Sequence, residues 1–108
     1  MAYSEVLAQR VREVLYPLTT AEEKKMFGGI AFMVSGNMTV GVIRDELIAR
    51  VGLEIYEASL DKPGVDLFQP TGKPMAGWVT VADEHLVDEN LKYWIDLALE
   101  FVKTLPAK

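Results

Sequence analysis

Apolar positions at spacings of three and four predict a helix near each end of the chain. The first helix covers about residues 4–16, and its apolar stripe is Leu7, Val11, Val14, Leu15 and Leu18. The last helix covers about residues 88–104, with a stripe of Leu91, Trp94, Ile95, Ala98, Phe101, Val102 and Leu105. Ser4 is a suitable N-cap, and Pro17 disfavours helical geometry at the residue before it. Each helix therefore has one face to bury.

Between the helices, alternating apolar positions and turn residues predict strands. Three consecutive strands are expected at about residues 27–34, 38–43 and 47–51, followed by a short helix at 52–60 and two strands at 65–69 and 77–81. The order is α-β-β-β-α-β-β-α. This order predicts one two-layer α+β domain, residues 1–108, in which terminal helices pack on a mainly antiparallel sheet.

A charge-balanced run, Glu22-Glu23-Lys24-Lys25, precedes the first predicted strand. Such a run is typical of a solvated turn. Thr19 and Glu22 are also spaced like the ends of a capping box. We therefore expect a single helical turn here, before the first strand.

Side chains alternate across a sheet, so the three consecutive strands predict two faces. The face expected to bury the helices carries Ile30, Phe32, Val34, Met38, Val40, Val42, Leu47, Ala49 and Val51. The other face carries Ala31, Met33, Thr39, Gly41, Ile43, Ile48 and Arg50. This second face is more apolar than a fully solvated face usually is.

An arginine among apolar side chains suits a protein interface, although its stem can also simply cover apolar surface. We predict an interaction surface made of Met33, Ile43, Ile48 and Arg50. The expected occupant is a protein partner, with a second copy of the chain as the other possibility.

The charge balance argues against nucleic acid as a direct partner. The chain has 11 Lys and Arg and 16 Asp and Glu, a net charge of −5, which repels phosphate backbones. It has no cysteine, which excludes disulfides and thiolate zinc sites. No signal peptide and no apolar run of about 20 residues is present, so we expect a cytoplasmic protein without a membrane segment.

Candidate chemistry is sparse. Gly28-Gly29 matches no phosphate-binding motif, and a bulge or close packing under a helix is the simpler interpretation. His85, the single histidine, lies among Asp83, Glu84 and Asp88 and is either a metal ligand or a surface residue near a helix start.

The two tryptophans are candidate stacking platforms for a base or a ring. Trp94 belongs to a helical stripe and is expected in the core, whereas Trp78 on a strand stays open. We predict no catalytic residue, no metal and no cofactor. The alternative is a small-molecule-binding protein or an enzyme, with a cleft between sheet and helices where Tyr56, Arg50 and Glu54 would converge.

Several short motifs occur in a characteristic order. They are Lys25-Met26-Phe27-Gly28-Gly29, Gly36-Asn37-Met38, Gly41-Val42, Leu47-Ile48-Ala49-Arg50-Val51-Gly52, Phe68, Gly72-Lys73-Pro74-Met75 and Leu91 with Trp94. This pattern resembles the N-terminal domain of the TfoX/Sxy family, regulators of natural competence in bacteria. The resemblance extends over about residues 7–101, and its Met-Phe-Gly-Gly segment is the most specific part.

The resemblance implies a bacterial cytoplasmic protein with a fold similar to secretion chaperones. In full-length members the domain acts with a cyclic-AMP-responsive activator at competence promoters through protein contacts. It implies no catalytic residues for this chain, and we expect no second domain within these 108 residues. The expected function is a non-enzymatic protein-interaction module, an accessory regulator of transcription or competence.

Overall fold

Both predicted terminal helices are present in the computed structural model, which describes residues 3–26, 28–87 and 89–106. Helix α1 spans Glu5–Leu15, and the Ser4 hydroxyl accepts a hydrogen bond of 3.1 Å from the amide of Leu7. This bond satisfies one of the free N–H groups of the first turn, as expected for an N-cap. The long C-terminal helix, α3, spans Asn90–Val102. Its predicted first residue, Asp88, lies outside the described residues.

Six strands form one antiparallel sheet. They are β1 (Glu22–Met26), β2 (Gly29–Val34), β3 (Asn37–Ile43), β4 (Glu46–Arg50), β5 (Val65–Leu67) and β6 (Trp78–Ala82), in the spatial order β1-β2-β3-β4-β6-β5. A short helix α2 (Tyr56–Leu60) follows β4, and a 3-10 turn (Asp83–His85) follows β6. The α+β class is confirmed, and the observed order is α-β-β-β-β-α-β-β-α.

The additional strand is β1, where the turn predicted for the charged run is wrong. Glu22, Glu23, Lys24 and Lys25 pair antiparallel with Met33, Phe32, Ala31 and Ile30 of β2. All four charged residues are exposed. The prediction that they are solvated is therefore right, although they lie on a strand and not in a turn. An edge strand has one row of unpaired backbone N–H and C=O groups, and charged side chains on such a strand oppose pairing with other chains.

The main core lies between the helices and one face of the sheet. α1 and α3 contact each other and the central strand β3, and α3 also contacts β4. Fully buried side chains from both layers meet there, the largest being Trp94, Phe32, Leu7, Leu15, Leu47, Leu86 and Ile95. Burying a side chain of this size contributes about 1.5–3 kcal/mol, so this layer is the main source of stability.

One irregularity changes which face a residue occupies. Phe32 pairs with Val40, but the next residue, Met33, pairs with Met38, so Thr39 is an extra residue in β3. Such a bulge reverses the alternation beyond it. Met38 was predicted on the helix-bearing face, and this is wrong, because it packs on the opposite face beside Met33.

None of the helices in the part of the chain that the structure describes combines the length and the apolar run that crossing a membrane requires.

Candidate functional site

The predicted surface residues lie on the sheet face turned away from α1 and α3, which we call the outer face. Met33 is on β2, Ile43 ends β3, and Ile48 lies on β4. All three belong to one apolar cluster with Ala31, Met38, Phe68, Met26, Met75 and Trp78. Arg50 ends β4 and pairs with Trp78 of β6, so it adjoins the same cluster.

Part of the outer face is covered by the segment between β5 and β6. Phe68 is buried in this segment, and its carbonyl accepts a hydrogen bond of 2.9 Å from the amide of Met75. Ile48 is consequently only 2% exposed. Ile48 is therefore a buried residue of the outer cluster, whereas Met33 and Ile43 are half-buried and reach solvent.

The methionines are concentrated on this side of the sheet. All four within the described residues, Met26, Met33, Met38 and Met75, belong to the outer cluster. We call these four methionines, together with Ile43, the methionine face. Sequence reasoning missed Met26 and Met75, and the available signal was the recurrence of methionine in segments that otherwise looked like loops.

Arg50 is held by aromatic rings. Its Cζ lies 5.1 Å from the ring centroid of Trp78 and 5.4 Å from that of Phe101 on α3, both within cation–π range. The side chain is half-buried, and burial lowers the pKa of Arg50. Phe101 was predicted only as part of a helix stripe, because its contact with Arg50 joins residues far apart in sequence.

A groove of about 530 Å³ opens beside this arginine, between the β4–α2 connection and the end of α3. Its walls are Val51, Gly52, Leu53, Glu54, Ile55, Leu97, Glu100, Phe101 and Thr104. The predicted cleft between sheet and helices therefore has a counterpart, with Glu54 in its wall. Tyr56 and Arg50 do not line it, although Phe101 connects Arg50 to the groove.

A second, smaller depression of about 360 Å³ lies near the β3–β4 turn. Its walls include Arg44, Glu46, Asp66 and Thr80. Arg44 donates to the Glu46 carboxylate at 3.4 Å, and Asp66 accepts from the amide of Leu67 at 2.7 Å. The three charged groups already have partners within the chain, so the depression is a weaker candidate than the groove.

The remaining candidate residues have structural explanations. Gly29 packs closely, but against a strand and not under a helix: a Cβ atom there would lie 2.2 Å from the carbonyl oxygen of Val42 in β3. Trp94 is confirmed as a core residue. His85 is half-buried, and its Nε2 is 3.8 Å from the Glu84 carboxylate. Across the described ranges no three His, Cys, Asp or Glu side chains are grouped as a metal site.

The fold and these surfaces define a two-layer α+β domain whose strongest features are an apolar face and a groove beside an aromatic-bound arginine. The chain belongs to the TfoX N-terminal domain family, whose model matches residues 13–102. Comparison with curated proteins and with solved structures finds no match to this chain.

Proposed function

We propose that this domain is a protein-binding module without chemistry of its own, and that it acts as an accessory regulator in bacterial transcription. The observation that carries the proposal is the methionine face. Met26, Met33 and Met75 are each partly exposed there beside Ile43. Flexible, polarisable thioethers adapt to a partner surface, and methionine is enriched in protein interfaces.

Two further observations support this proposal. The chain belongs to the TfoX N-terminal domain family. Its resemblance to regulators of competence implies that it regulates through protein contacts. The net charge of −5 disfavours direct binding to a promoter, because each phosphate contact would need a cationic surface. A regulator of this charge is better suited to bind another protein than to bind DNA.

The test compares two face variants with one matched control. Met33→Glu and Ile43→Glu each add a negative charge to the methionine face, while Val6→Glu adds the same charge on α1, where the side chain is already 74% exposed. Each variant is first checked by circular dichroism and thermal unfolding. Tagged proteins are then used to capture partners from nuclease-treated host lysate, and the captured partner is purified and titrated.

We expect a stoichiometric partner from the transcription machinery to bind wild type and Val6→Glu and to be lost with both face variants. Equal binding to all four folded proteins would contradict the proposed surface. If no partner is captured and sedimentation instead shows a dimer that Met33→Glu dissociates, the face is a seam between copies and the partner proposal is wrong.

A further inference from the structure

Among the residues that the structure describes, Arg50 is the arginine without an anionic partner. Arg10, Arg12 and Arg44 each form an ion pair, with Asp83, Glu23 and Glu46 respectively. Within residues 3–26, 28–87 and 89–106, the Arg50 side chain makes neither an ion pair nor a hydrogen bond, and its contacts are with Trp78 and Phe101. Its N–H donors are therefore available.

The two aromatic contacts also hold this free cation in place. Packing against the rings restricts the long side chain, so less conformational entropy is lost when an anion binds. Half-burial reduces competition from water, and the lowered pKa of Arg50 reflects that loss of solvation without a compensating charge. A planar guanidinium in this setting is suited to bind a carboxylate through two parallel hydrogen bonds.

The groove supplies a place for the rest of such a ligand. Phe101 forms part of its wall and also contacts Arg50, so this one ring borders both the guanidinium and the groove. Val51, Ile55 and Leu97 make much of the remaining wall apolar. A volume of about 530 Å³ lies within the usual range for small-molecule sites.

Two carboxylates restrict the charge that the ligand can carry. Glu54 and Glu100 are both exposed at the groove, where they repel additional negative charge. A phosphate dianion or a dicarboxylate carries two charges and would meet about twice the repulsion that a single carboxylate on an apolar body meets. Charge therefore favours a monoanion.

We propose that the groove beside Arg50 binds an aliphatic monocarboxylate, with its carboxylate on the Arg50 guanidinium and its chain along Val51, Ile55 and Leu97. This binding goes beyond the proposed protein-binding role, because it uses the groove at the end of α3 rather than the methionine face.

The test uses three eight-carbon probes that differ only in their head group. Octanoate, octanol and octylammonium are titrated into the wild-type protein by calorimetry at constant ionic strength. We expect octanoate to bind most tightly, and we expect it to move the indole N–H resonance of Trp78 and leave that of Trp94 in the core unchanged. If octanol binds as tightly as octanoate, recognition of a carboxylate is wrong.

Three variants test the charge assignment with octanoate. Arg50→Gln should weaken binding about tenfold or more, as expected for loss of a charge-assisted hydrogen bond. Arg50→Lys keeps the charge but lacks the planar fork, so it should weaken binding less. Glu100→Gln should strengthen binding about two- to fivefold, because it removes a repulsive charge at an exposed position.

Native indole resonances and thermal unfolding verify that each variant is folded. Unchanged octanoate affinity in folded Arg50→Gln would overturn the proposal. A preference for octylammonium that Glu100→Gln weakens would show a cation site instead, which also overturns it. Neither result bears on the methionine face, so the two proposals fail independently.

Discussion

At the scale of single residues, Gly52 determines how the chain leaves β4. Its φ is +87°, and its amide donates to the carbonyl of Gly77 at 3.0 Å. A Cβ atom at this position would lie 2.5 Å from Cδ1 of Phe101. Glycine is therefore favoured here for two reasons: it adopts the positive φ without strain, and it leaves room for the Phe101 ring that contacts Arg50.

Gly72 offers a matched control for these two requirements. It has the same φ of +87°, but nothing lies within 4 Å of the position a Cβ atom would occupy. Gly72→Ala should cost about 1–2 kcal/mol of unfolding free energy, from the left-handed conformation alone. Gly52→Ala should cost about 1–3 kcal/mol more, because it also overpacks Phe101. Urea denaturation measures both values, and equal losses would show that Phe101 moves aside freely.

At the scale of elements, a side-chain network connects α1 to the edge strand β1. Arg12 donates to both carboxylate oxygens of Glu23, at 2.8 and 3.0 Å, and the Tyr16 hydroxyl also donates to Glu23. The hydrogen bonds from Arg12 are the main reason that the pKa of Glu23 is lowered from its ordinary value of 4.5. This network adds a contact with α1 to the backbone pairing that holds β1 on β2.

The lowered pKa predicts a specific dependence of stability on pH. A carboxyl group with a lower pKa in the folded state stabilises the fold above its ordinary value, and this contribution is lost as the pH falls through the folded value. At pH 7, Glu23→Gln should be less stable than wild type by up to about 1 kcal/mol, because the ion pair stays partly exposed to solvent. The difference should disappear in acid.

Thermal unfolding of wild type and variant between pH 7 and pH 3 measures this dependence. Glu13→Gln is the control, because Glu13 is an exposed carboxylate on α1, the helix that carries Arg12, and it takes no part in the network. If the two variants have the same pH profile, the network does not stabilise the attachment of β1.

At the scale of the whole molecule, the sheet has open edges at β1 and β5. β5 is only three residues long, whereas β1 is five residues long and carries four charges. Short strands and charged side chains are two ways in which proteins limit edge-to-edge association. The charged run of β1 thus protects an edge next to the methionine face.

Removing that protection should change the association state. Glu22 pairs with Met33 and Lys24 with Ala31, so both lie in register with outer-face residues. The double variant Glu22→Thr with Lys24→Thr keeps the net charge and should associate more strongly than wild type with rising concentration, measured by sedimentation velocity. Glu13→Thr with Lys103→Thr makes the same exchange at exposed positions at the ends of α1 and α3. Equal association of both double variants would contradict a protective role for β1.

Much of the fold was determined locally and could be predicted from sequence. Helical periodicity identified α1 and α3, because each must bury a single stripe against the sheet. Alternation identified β2, β3 and β4 and the outer face that carries Met33, Ile43 and Arg50. These features depend on residues within a few positions of each other, where spacing alone specifies the geometry.

Only the tertiary structure decided the rest. β1 is a strand because β2 offers it an edge, which a charged run does not reveal. Met38 changes face because one extra residue, Thr39, is accommodated between β2 and β3. Phe68 and Met75 bury Ile48, and Phe101 approaches Arg50, through contacts between elements distant in sequence. Alternation and helical spacing report neighbours along the chain, whereas the candidate site is made by residues that become neighbours only when the layers pack.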